Sequence, residues 1–121
     1  MRFSFAARLK SFTFAFAGIA TMLRTQHNAW LHLLATILVI AAGFALNVSA
    51  EDWRWLVAAI VLVWTAEAVN TAFEHLCDVV SPEFHASVQK SKDIAAGAVL
   101  ICVIGTAIIG LQVFVPYLLP R

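Results

Sequence analysis

Residues 94–115 run for 22 positions without one Asp, Glu, Lys, Arg or His. As a helix this stretch rises about 33 Å, enough to cross the roughly 30 Å hydrocarbon core of a bilayer. Two other apolar runs precede it. Residues 29–46 are interrupted only by His32 near their start, while the run that begins near Trp55 is purely apolar only to Ala66. Twelve residues cannot span, so the second helix must continue through Glu67 to about Val79, its acids turned toward protein rather than lipid. The expectation is an all-α protein with transmembrane helices over about 29–46, 55–79 and 94–115, forming one domain over 1–121. A charged share of 12%, about half that of an average soluble protein, agrees with a membrane protein.

The remaining segments fill in the topology. In residues 2–25, Phe5, Leu9, Phe12, Phe16, Ile19 and Leu23 recur at helical steps among Arg2, Arg8, Lys10 and Arg24, the pattern of an amphipathic helix lying on the bilayer surface. A signal peptide is the rival reading, but no convincing cleavage site precedes a polar start. Residues 47–52 read as an acidic turn followed by the interface aromatics Trp53 and Trp55. Pro82 is expected to end the second span, residues 82–91 to form a polar loop, and Ser91 to cap the third helix. Pro116, Pro120 and Arg121 are expected to lie outside regular structure. Ala98, Cys102, Thr106 and Gly110 form a small-residue ladder suited to close helix packing, and Cys77 and Cys102 read as small buried residues, not a disulfide or metal pair. Four basic residues before the first span and two in the loop before the third, against the acidic turn, place the N-terminus in the cytoplasm.

Chemistry concentrates on the second span. Glu67, Asn70, Glu74 and Asp78 follow steps of 3, 4 and 4, which at about 100° per residue keeps them within roughly 80° of one helix face. Ionisable groups at membrane depth are costly and mark functional surfaces. Glu74 and Asp78, one turn apart, suit a hard cation such as Mg2+, which takes one or two carboxylates and completes its shell with water and phosphates. Glu67, two turns deeper, suits a general base meeting a lipid headgroup hydroxyl. Lys92 and the free amides opening the third helix suit an anion. Base, metal and phosphate clamp together are the parts of phosphoryl transfer. The same face also suits an interhelical hydrogen-bond seam, or a proton or ion pathway, and His32 and His85 taken alone read as ordinary polar residues. No segment is left for a separate nucleotide-binding fold, and no nucleic-acid partner is expected.

The stretch Glu67-Ala-Val-Asn70-Thr71-Ala-Phe-Glu74-His-Leu-Cys-Asp78, followed by Lys92-Asp93-Ile-Ala-Ala-Gly97-Ala-Val-Leu100, resembles the signature of the bacterial integral-membrane diacylglycerol kinase and undecaprenol kinase family. Arg8-Leu-Lys10-Ser11-Phe12, Ala15-Phe16-Ala-Gly18-Ile19 and residues 28–32 are similar to that family's amphipathic helix and first span. The resemblance implies a homotrimer with active sites between subunits, transferring the γ-phosphate of ATP to a lipid hydroxyl with Mg2+. It implies Glu67 as general base and Asn70 as its polar partner, Glu74 as a metal ligand, and Lys92 and Asp93 at the nucleotide. Asp78 would support the metal or the adjoining network, and Arg8 and Lys10 would reach the nucleotide from the surface helix.

Residues 28–32, Asn70-Thr71-Ala and the stretch 92–97 look more like the undecaprenol branch, so undecaprenol is slightly favoured over diacylglycerol. The apolar side chains Phe12, Phe16, Trp30 and Trp64 suit either lipid chain. One position departs from the family: Gln26 stands where a second metal-binding Glu is usual. An amide oxygen can still ligate, but the lost negative charge should weaken the hold on Mg2+. Gln26→Glu is therefore expected to lower the Mg2+ concentration for half-maximal phosphoryl transfer by roughly tenfold, one added carboxylate's worth. An unchanged Mg2+ titration would remove Gln26 from the ligand set.

Overall fold

The computed structural model describes residues 2–120, and its described residues form four helices and no strand. They are α1 (Phe5–Thr25), α2 (His27–Ala45), α3 (Ala50–Val80) and α4 (Ala86–Leu118). The last three are each long and apolar enough to cross a membrane, so this is a multi-pass membrane protein.

Helix α1 starts where Ser4 accepts a hydrogen bond from the Ala7 amide at 3.2 Å. Its predicted stripe of Phe5, Leu9, Phe12, Phe16 and Ile19 is exposed, and Met22 is its single buried residue. One extended residue, Gln26, separates α1 from α2 (φ −116°, ψ 115°).

Helix α3 begins at Ala50, five residues before the expected start. The turn contracts to residues 46–49, with Asn47 in the left-handed region at φ 50°, a conformation that asparagine tolerates better than most residues. Ser49 caps the helix by accepting from the Asp52 amide at 3.1 Å. Glu51 and Asp52 thus lie in the first turn, where their charges complement the positive end of the helix dipole.

The loop between α3 and α4 is also shorter than expected, covering residues 81–85. The cap of α4 is His85, whose Nδ1 accepts from the Ser87 amide at 3.2 Å. Ser91, the expected cap, is inside the helix and donates its hydroxyl to the Ser87 carbonyl. Polar letters alone suggested a loop here, yet they line an exposed two-turn extension of a helix. Pro116 likewise lies within α4, contrary to expectation. It falls in the final turn, where it removes one amide donor to the carbonyl four residues back but leaves the body of the helix unkinked.

At about 1.5 Å per residue, α2 is about 28 Å long, whereas α3 and α4 reach roughly 46 and 50 Å. All three are aligned at one end. Val48, Leu56 and Val113 are buried there, packed by Trp53, Ile109 and Tyr117. The Tyr117 hydroxyl donates to Asp52 at 2.5 Å and accepts from the Ser49 amide at 3.0 Å. Because the far end is stapled, the excess length of α3 and α4 projects at the other end. About 20 residues cross the hydrocarbon, so Glu67 and Asn70 fall just inside the boundary while Glu74, Asp78, Lys92 and Asp93 fall beyond it.

Gly43 makes the stapled end possible: a Cβ there would stand 2.5 Å from Cη2 of Trp53, whose ring also packs on Phe44. Overpacking of this kind typically costs about 1–3 kcal/mol, against roughly 1 kcal/mol of helix propensity gained from alanine. Gly43→Ala should lower the thermal midpoint in detergent. In a Trp53→Leu background the same change should be neutral or stabilising, and an equal loss in both backgrounds would show that Trp53 is not the obstacle.

Candidate functional site

The polar face of α3 divides at the membrane boundary into a dry part and a wet part. In the dry part, Glu67 is only 1% exposed, with Asn70 and Thr71 buried beside it. Thr71 spends its hydroxyl on the Glu67 carbonyl at 2.9 Å. One carboxylate oxygen, Oε2, contacts Nε2 of His32 on α2 at 3.2 Å. The other, Oε1, has no partner, nor has Oδ1 of Asn70. Both residues line a cavity of about 230 Å³ closed by Asn28, Leu31 and His32 of α2 and by Ala96, Val99 and Leu100 of α4. Two buried acceptors without a donor are costly in a protein interior. Any donor that enters this cavity meets two acceptors.

The wet part carries the charges. Lys92 donates to Asp78 Oδ1 at 2.9 Å, joining the start of α4 to the end of α3. The pair is solvent-exposed, so it holds weakly and is open to competition from an incoming anion. Asp93 accepts from the Gln89 amide at 3.0 Å on its own helix. Glu74 is half-buried on α3, between Asn70 and Asp78 in sequence and one turn from each. Gln26 is half-buried at the junction of α1 and α2, its carbonyl accepting from the Ala29 amide. Arg8 and Lys10 are exposed on α1, with the Lys10 ammonium 5.9 Å from the Phe14 ring centre rather than at the Asp78–Lys92 pair.

Glu67 and Asn70 therefore share one cavity, Asp78 and Lys92 one ion pair, and Arg8 and Lys10 lie on a separate surface. The residue missed by sequence reasoning is His32. Its signal was present, as a lone ionisable side chain interrupting an apolar run, but the partner is 35 positions away and only the packing of α2 on α3 connects them.

A multi-pass helical protein with a buried carboxylate opening on a small cavity, and an ion pair just outside, defines a membrane-embedded enzyme rather than a scaffold. The family profile described as prokaryotic diacylglycerol kinase matches residues 13–114, and the chain belongs to this family of lipid kinases. It is 36% identical over 109 residues to an undecaprenol kinase of Bacillus subtilis, covering 90% of this chain and 89% of that protein. It is also 36% identical over 112 residues to a diacylglycerol kinase of Synechocystis, covering 92% of this chain and 64% of that longer protein. A diacylglycerol kinase of Escherichia coli matches at 31% over 71 residues, 59% of this chain and 58% of the relative. These relationships do not favour the ion-conducting seam.

A buried polar contact often stabilises less than an apolar core of the same shape. The double variant His32→Leu/Glu67→Met should therefore be as stable as the wild type or more so, by up to about 4 kcal/mol, measured as the unfolding midpoint in detergent. A marked drop would make the His32–Glu67 contact a net stabiliser of the bundle.

Proposed function

We propose that the protein transfers the γ-phosphate of ATP to the hydroxyl of undecaprenol. The observation that carries this reading is the buried, half-satisfied Glu67 beside Asn70, two acceptors on one cavity at membrane depth. A primary alcohol presented there donates to Glu67, whose carboxylate takes the proton as the oxygen attacks the γ-phosphorus. The bond from that phosphorus to the bridging oxygen breaks, and ADP leaves with the electron pair. Lys92 exchanges Asp78 for phosphate oxygens with Asp93 beside it, while Arg8 and Lys10, on a separate surface of this chain, would have to reach the nucleotide from a neighbouring subunit. Undecaprenol rather than diacylglycerol is supported by the near end-to-end match to the Bacillus subtilis enzyme.

Magnesium fits the donor set. Among the described residues there is no cluster of three or more His, Cys, Asp or Glu able to hold a metal, and Mg2+ characteristically takes one or two carboxylates with the remaining positions filled by water and nucleotide phosphates. Glu74, with the Gln26 amide, would hold it, and its charge would offset that of the transferring phosphoryl group.

The assembly we propose is a homotrimer in the bacterial inner membrane, N-terminus and active site in the cytoplasm. In support, α4 buries only Val99 and Val113 within one chain, leaving large apolar side chains such as Ile101 and Leu111 for lipid or neighbouring subunits. The exposed stripe of α1 fits the membrane surface.

The test is transfer of labelled γ-phosphate from ATP by purified protein to undecaprenol and diacylglycerol in separate mixed micelles with Mg2+. Undecaprenol should be labelled preferentially, and Glu67→Gln should lose roughly 10²–10⁴-fold in turnover while eluting as the wild type does. Preferential labelling of diacylglycerol would reverse the substrate assignment, and labelling of neither would sink the reading.

A further inference from the structure

The contact between His32 and Glu67 does more than fill space. We propose that His32 is a positioning residue: its Nε2–H engages Oε2 of Glu67 and so leaves Oε1 as the one oxygen that receives the substrate proton. This rests on the kinase reading above, with Glu67 as the base.

A carboxylate that acts as a base has no proton to offer, so a hydrogen bond at 3.2 Å requires the proton to be on the imidazole nitrogen. Oε2 is thereby occupied. Oε1 is buried and without a partner, on a side chain that lines the same cavity as Asn70. A glutamate side chain has three rotatable bonds, so on its own it would not choose between its oxygens.

The helices that carry the pair are tied by a two-rung ladder between antiparallel neighbours. His32 and Thr36 lie one turn apart on α2, and Glu67 and Trp64 nearly one turn apart on α3. The first rung is His32 to Glu67. In the second, the Trp64 indole N–H donates to Thr36 Oγ1 at 2.9 Å, and the Thr36 hydroxyl donates to the His32 carbonyl at 2.7 Å. The Trp64 ring also stands edge-on to the imidazole, centroids 6.2 Å apart at 70°. Two fixed contacts per helix set the register of α2 on α3, whereas one contact would let the helices pivot.

In the transfer step the hydroxyl proton moves to Oε1, the hydroxyl oxygen bonds to the γ-phosphorus, and the bond to ADP breaks with its electron pair going to ADP. His32 keeps its proton throughout. Its ring borders the cavity but its N–H is spent on Glu67 and not on the reacting atoms, so its loss should appear mainly in kcat rather than in binding.

Steady-state kinetics of two variants test this. His32→Leu should lose roughly 10- to 100-fold in kcat, a cost typical of a misplaced catalytic group, with KM for ATP and lipid within about twofold. His32→Gln, whose amide nitrogen reaches about as far as Nε2, should recover to within about fivefold of the wild type. Equal kcat in the two variants, high or low, would overturn the proposal, as would a loss confined to KM. Independently of how the variants fold, 15N spectra of histidine-labelled wild type should show His32 as the Nε2–H tautomer, and the Nδ1–H form would overturn it. Full turnover in Glu67→Gln would instead overturn the base assignment beneath it, while a wild type that labels no lipid would sink the kinase reading itself.

Discussion

One carboxylate at membrane depth governs the arrangement of the others. Removing a charged group from water costs several kcal/mol even after relaxation, so Glu67 is tolerable only where protein surrounds it. The chain meets this condition by packing α2 and α4 on either side of α3, at 1% residual exposure. It meets it only halfway, since Oε2 is engaged by His32 and Oε1 by nothing. A fully satisfied seam would be a structural element. A half-satisfied one beside a cavity is poised for a substrate, the kind of local inconsistency expected at functional sites.

The helix lengths then separate the site into two solvents. Pinned at one end by Tyr117, Asp52, Ser49 and the close approach of Trp53 to Gly43, α3 and α4 overrun the bilayer at the other. The same polar face therefore starts in hydrocarbon at Glu67 and ends in water at Asp78. In the transfer proposed above, a lipid hydroxyl and a water-soluble nucleotide would meet along such a face. The boundary passes between the buried acceptors and the exposed Asp78–Lys92 pair.

Sequence reasoning was most secure where the physics is local. Three apolar runs, their order and the 3-4-4 spacing of Glu67, Asn70, Glu74 and Asp78 followed from bilayer thickness and helical period alone, and the buried pair Glu67 and Asn70 lies on that face. It was least secure at helix ends. Residues 82–91 read as loop because they are polar, but His85 and Ser49 cap helices earlier than polarity suggested, and exposed helical turns tolerate the same residues as loops. Pro116 misled because a proline near the C-terminal end disturbs only the last turn and does not stop the helix before it.

By itself, then, the sequence determined that this chain crosses a membrane three times, that an acid-bearing face lies on the middle span, and that this face matches a lipid kinase family. These follow from composition, period and motif, which need no knowledge of neighbours. Only the tertiary structure decided that His32, an unremarkable histidine on another helix, is the partner of Glu67, and that the Thr36–Trp64 bond sets the register of the two helices beside it. It also decided which carboxylate oxygen is left open. The reason is that a side chain's partner across a helix pair depends on the rotation and register of two packed helices, and no periodicity within either one encodes the angle at which they meet.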